Sequence, residues 1–134
     1  MKIHHVGIFV KKISDFRKYF NKKVSITYSS KITLDKNLGV KIKFIKFKGS
    51  NQLFEIIEPY GKKNPVTPIL KSRNNTINHL AFLSNSFQDD IDDLVSKNCY
   101  PISKIMKSKF FKSNIVFLMS PFNFVIEVID GSKN

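Results

Sequence analysis

Ile77-Asn78-His79-Leu80-Ala81-Phe82-Leu83 restates, 74 positions later, the opening Ile3-His4-His5-Val6-Gly7-Ile8-Phe9. Read as strands, the first places Ile3, His5, Gly7 and Phe9 on one face, and the second places Ile77, His79, Ala81 and Leu83 on the equivalent face. In both copies a histidine is followed two places on by a residue with almost no side chain. That pairing leaves room beside an imidazole, which a ligand or a metal needs.

Each copy also ends in an apolar run with a carboxylate inside it: Leu53-Phe54-Glu55-Ile56-Ile57 and Phe124-Val125-Ile126-Glu127-Val128-Ile129. His5 and Glu55 are 50 residues apart, His79 and Glu127 48. A carboxylate within an apolar strand is unfavourable unless it is paired or metal-bound. A single strand histidine is usually only hydrogen-bonded. Two histidines and two carboxylates delivered by a duplicated unit instead make a coherent site.

The motifs His5-Val6-Gly7-Ile8, Glu55-Ile56-Ile57-Glu58-Pro59, Asn78-His79-Leu80-Ala81-Phe82 and Ile126-Glu127-Val128 resemble, in order, those of the vicinal oxygen chelate superfamily of glyoxalase I, bleomycin-resistance proteins, extradiol dioxygenases and methylmalonyl-CoA epimerases. The resemblance implies an α+β fold of two βαβββ modules, forming a curved mixed sheet around a metal site with helices on the outer face. It assigns residues 1–59 and 76–131 to the modules and 60–75 to a linker, within one domain. It also makes His5, Glu55, His79 and Glu127 the ligands of a divalent metal.

The composition suits that reading. The 134 residues are 42% hydrophobic with 13 phenylalanines, enough for one compact core. No apolar run approaches bilayer length, and Lys11 and Lys12 end the N-terminal one too early for a signal peptide. A lone cysteine, Cys99, forms no internal disulfide and reads as core filler. The expected location is the cytoplasm, with no membrane partner. Net charge is +13, but of the 23 basic residues only Arg17 and Arg73 are arginine. Nucleic-acid surfaces lean on arginine for bidentate contacts, so the expected partner is a small anionic organic substrate rather than nucleic acid.

Along the chain, residues 2–10 read as a strand, and Ser14 as the cap of a helix with Ile13, Phe16 and Phe20 on one side. Strands follow over 24–34 and 40–48, the second alternating Val40, Ile42 and Phe44 with Lys41 and Lys43, and then the Glu55 strand. A short helix is expected over 68–73. In the second half Ser86 reads as the cap of a helix carrying Phe87, Ile91, Leu94 and Val95, whose four aspartates form a solvated face. Strands over 99–106, 115–119 and 124–129 complete the order, with 107–112 as a loop that by family analogy closes over substrate.

Two imidazoles and two carboxylates suit Zn, Co, Ni, Mn or Fe(II). The resemblance implies an isomerase or lyase that transfers a proton beside a metal-bound carbonyl, with Glu127 and Glu55 as the catalytic carboxylates and a thioester among the candidate substrates. Its alternatives are a non-catalytic drug-binding protein of the bleomycin-resistance type and an extradiol-type dioxygenase. Asn37 stands where the epimerases carry a glutamate, two residues before the glycine that opens the third strand; an amide takes up no proton there, unless Asp35 substitutes. Related short chains build each site within one chain or across a homodimer, and the spacing allows both.

Overall fold

A computed structural model describes residues 1–132 of the protein. The elements in chain order are β1 (Lys2–Phe9), α1 (Ile13–Lys23), β2 (Ile26–Ser29), β3 (Thr33–Asp35), β4 (Val40–Phe47), β5 (Leu53–Pro59), α2 (Val66–Ser72), β6 (Thr76–Ser84), α3 (Phe87–Ser96), β7 (Tyr100–Pro101), β8 (Met106–Lys107), β9 (Asn114–Met119) and β10 (Val125–Asp130). This is an α+β chain. It divides into two compact units, one of Val6–Asn78 and one of Met1–His5 with His79–Asn134. The division falls inside β1 and inside β6, so His5 and His79 belong to the same unit.

In the Val6–Asn78 unit the strand order is β2, β4, β5, β1, with β3 also on β4. The antiparallel β4–β5 ladder sets Phe44 opposite Glu55, Ile42 opposite Ile57 and Lys43 opposite Ile56. Directly opposed residues share a face, so Glu55 lies with Phe44, Ile42 and Ile57, while Lys43, Ile45 and Ile56 face the other way. Helix α1 covers that other face: Val10, Ile13, Ile45 and Ile56 form a buried cluster flanked by Phe16, Phe47 and Phe54. The spacing of Ile13, Phe16 and Phe20 supplies the helical stripe, and the Phe20 ring packs 4.5 Å from Phe16 and 5.4 Å from Phe47.

Two local features differ from the sequence reading. Helix α1 begins at Ile13 without a side-chain cap from Lys12, and the Ile13 N–H donates to Glu58 Oε2 at 2.9 Å. A carboxylate from β5, not Ser14, therefore satisfies the first helical amide, where the helix dipole also favours negative charge. The strand expected over 24–34 is split into β2 and β3, which pair with opposite ends of β4. Ser30 fills the break: its Oγ accepts the Phe44 N–H at 2.9 Å, and its carbonyl accepts the buried Lys43 Nζ at 2.5 Å. The buried ammonium requires an acceptor, and a continuous ladder would have used that carbonyl.

The other unit carries β6, β10, β9 and β7 in that order, with β8 also on β9. Its sheet is mixed, because β10 runs parallel to β6 and antiparallel to β9. One face, with Val116, Leu118, Ile126 and Val128 buried, receives α3 through Phe87, Ile91 and Leu94, with Cys99 in the same cluster. Val95 is exposed rather than part of that stripe. Ser86 holds the N-cap position without capping through its side chain; the fully buried Ser84 acts instead, donating to Asp90 Oδ2 at 2.5 Å and accepting the Ser86 N–H at 3.1 Å. The strand expected over 99–106 is again split, into β7 and β8 on one edge of β9. The duplication therefore extends to the broken edge strand.

Candidate metal centre

His5, Glu55, His79 and Glu127 are each buried and each offer an atom able to ligate a metal. The unit that holds His5 and His79 also holds Glu127, and its ladder brings the Glu127 strand beside that of His79. In the parallel β6–β10 register Val125 stands beside His79, Glu127 beside Ala81 and Ile129 beside Leu83, and across β9 Glu127 stands opposite Phe117. The small residue two places after the histidine thus leaves room for the carboxylate of the adjacent strand. Ala81 has no exposed surface, and it packs with Ile115 and Ile129.

The three side chains converge on their tips. His5 Nε2 is 3.2 Å from His79 Nε2, and Glu127 Oε2 is 3.3 Å from the first and 3.4 Å from the second. Zinc and similar ions bind nitrogen and carboxylate oxygen at about 2.0–2.2 Å, so neighbouring donors in a tetrahedral or octahedral sphere lie about 2.9–3.5 Å apart. The observed triangle has those sides. Its three atoms are also chemically matched: two borderline nitrogen donors and one anionic oxygen, buried where the carboxylate needs a compensating charge. The residues present therefore fit a divalent metal.

Aromatic rings close around the histidines. Phe111 stacks on His5 with centroids 5.8 Å apart and planes 14° apart, and Phe117 meets His79 edge-on at 6.1 Å. Phe111 belongs to the segment expected as a closing loop. That segment is held as a turn, with Ser108 N–H donating to the Ser113 carbonyl at 2.9 Å and Phe111 N–H to Ser108 Oγ at 3.1 Å. Neither Phe111 nor His4, whose Nδ1 lies 2.9 Å from His5 Nδ1, was legible as a site residue. A loop phenylalanine carries no periodic signal, and strand alternation assigns His4 to the opposite side from His5.

Glu55 belongs to the other unit. It is buried at the centre of β5, on the face away from α1. Asp35, the alternative acid near Asn37, has its Oδ1 occupied by the Asn37 and Leu38 N–H groups at 2.9 and 3.0 Å, and Asn37 itself is exposed.

The chain shares its fold with methylmalonyl-CoA epimerases. The Mycobacterium tuberculosis epimerase superposes with a TM-score of 0.80 at 16% identity, over 96% of this chain and 87% of that one. A Streptomyces coelicolor epimerase variant in complex with 2-nitronate-propionyl-CoA superposes with a TM-score of 0.75 at 16% identity, over 97% and 96%. The chain has the vicinal oxygen chelate fold. In sequence, a Bacillus subtilis (strain 168) protein, YqjC, is similar at 22% identity over 117 residues, 87% of this chain and 81% of that protein. No protein-family model matches the sequence. Within the vicinal oxygen chelate fold, His5, His79 and Glu127 are thus three convergent buried donors on one side of the β1, β6 and β10 strands.

Proposed function

We propose that this chain is a divalent-metal-dependent isomerase or lyase of the epimerase or glyoxalase type, moving a proton on the carbon beside a substrate carbonyl. His5, His79 and Glu127 hold the metal, and Glu55 completes the set. The observation that carries the reading is the triangle of His5 Nε2, His79 Nε2 and Glu127 Oε2, sized for one ion. The case for Glu55 is its equivalent place in the repeat and its burial in an apolar strand. A divalent ion bound there supplies Lewis acidity that stabilises the negative charge developing on a carbonyl oxygen.

The chain's own groups handle the proton. Both histidine contacts of Glu127 run through Oε2, which leaves its second oxygen to accept a proton from substrate and return it. Glu55 is the second carboxylate of this chemistry. With Asn37 an amide and Asp35 engaged in its turn, the segment 35–38 supplies no further base. The proton chemistry of this reading therefore rests on Glu127 and Glu55, without the acid that the epimerases carry at the position of Asn37. A small anionic substrate, a thioester among them, suits the charge of +13, and the lone, buried Cys99 suits the cytoplasm.

The test is solvent exchange. Metal-reconstituted protein in deuterium oxide is given methylmalonyl-CoA and, separately, the hemithioacetal of methylglyoxal and glutathione. Deuterium entering either probe, and lost in Glu127→Gln, is the expected result. Bound metal with no exchange into either probe overturns proton transfer; absence of metal binding overturns the site.

A further inference from the structure

We infer that His4 is a positioning residue for the metal: it accepts the Nδ1–H of His5 and thereby keeps the His5 Nε2 lone pair directed at the ion. This rests on the metal reading above. The two Nδ1 atoms lie 2.9 Å apart, with the rings edge-on at a centroid distance of 5.1 Å. Only one hydrogen fits between two nitrogens at that distance. If it belongs to His5, its Nδ1 is the donor, and its Nε2, 3.2 Å from His79 Nε2 and 3.3 Å from Glu127 Oε2, presents a lone pair to the donor triangle. If it belongs to His4, the neutral His5 must carry its own hydrogen on Nε2, where it points into the donor triangle and blocks coordination.

Metal binding therefore selects the first arrangement. No proton is gained or lost: His5 carries its hydrogen on Nδ1, and His4 carries its own on Nε2. A ligating histidine ordinarily gives its second N–H to a carboxylate, a carbonyl or water; here the acceptor is a second imidazole. Phe111 holds the pair together, stacked on His5 and edge-on to His4 at 5.3 Å.

Two readouts test this at one fixed pH. In the zinc-loaded wild-type chain, 15N chemical shifts are expected to report a protonated Nδ1 on His5 and a protonated Nε2 on His4. A protonated Nε2 on His5 overturns the inference without any variant. Zinc affinity, measured by competition with a chromophoric chelator, is expected to fall about 10–100-fold in His4→Phe, which keeps an aromatic ring but has no acceptor. His4→Asn, whose side-chain oxygen can take the place of Nδ1, is expected to recover most of that loss. Wild-type affinity in His4→Phe overturns the positioning role alone; failure of the wild-type chain to bind zinc overturns the metal reading as well.

Discussion

At Glu127 the burial of a carboxylate and the capacity to hold a cation are one property. The carboxylate meets two imidazole tips within 3.4 Å and sits in a strand whose six residues are all buried. Removing its charge while keeping its shape separates ligand from scaffold. Glu127→Gln is expected to weaken metal binding by at least about 100-fold, the upper end of what even an outer partner of a ligand contributes. The metal-free form should keep or gain stability in urea, because a buried charge has been removed; a large loss there would make Glu127 structural.

Lys43 shows a second burial whose sign can be read. Burial, and then the nearby positive charge of Arg17, hold its ammonium below the usual 10.5. Between that lowered value and 10.5 the unfolded chain binds more protons than the folded one, so stability rises with pH across that window. Lys43→Met should abolish the rise. Urea midpoints compared from neutral pH upward test this, and equal slopes in the two proteins would contradict it. The alternation of Lys41 and Lys43 with Val40, Ile42 and Phe44 was legible in the sequence. That the lysine face of β4 would carry Ile45 into the α1 core, and bury Lys43 there, was not, because periodicity assigns a residue to a side but not to solvent.

Among the elements, the strands that carry His5, Glu55, His79 and Glu127 were legible because a repeated alternating pattern fixes both a strand and the face it presents. The edges were not. Each unit's edge strand breaks in two, around Ser30 in the Val6–Asn78 unit and over 102–105 in the other. The Ser30 break follows from side-chain hydrogen bonds that local pattern does not encode. The helix starts were missed likewise, since Glu58 and Ser84 act from outside the helices they fix. The turn into β4 offers a direct check. Gly39 has φ +65°, accepts the Tyr60 N–H at 2.7 Å, and would bring an added Cβ against the Lys63 and Tyr60 carbonyls. Gly39→Ala should lower stability by at least about 1–2 kcal/mol, the left-handed penalty alone. A change within experimental error in thermal denaturation would contradict the close approach.

At the scale of the whole molecule, the duplication in sequence corresponds to an α+β chain that superposes on methylmalonyl-CoA epimerases despite 16% identity. No helix among the described residues is long and apolar enough to cross a membrane. The excess of 23 basic over 10 acidic residues gives the molecule a positive field that attracts small anions and is screened by salt. For an anionic substrate kcat/KM should therefore fall as ionic strength rises from about 0.01 to 0.3 M, over which the screening length shortens several-fold, while metal content stays constant. A salt-independent kcat/KM would exclude charge steering.

Whether His5, Glu55, His79 and Glu127 hold a metal is decided by the bound ion per folded chain. After loading with zinc and exhaustive desalting, the wild-type chain should retain about one ion per site. His79→Ala, Glu55→Ala and the double variant should lose it while keeping the circular dichroism and urea midpoint of the metal-free wild type. Full occupancy in the folded double variant would contradict the assigned centre.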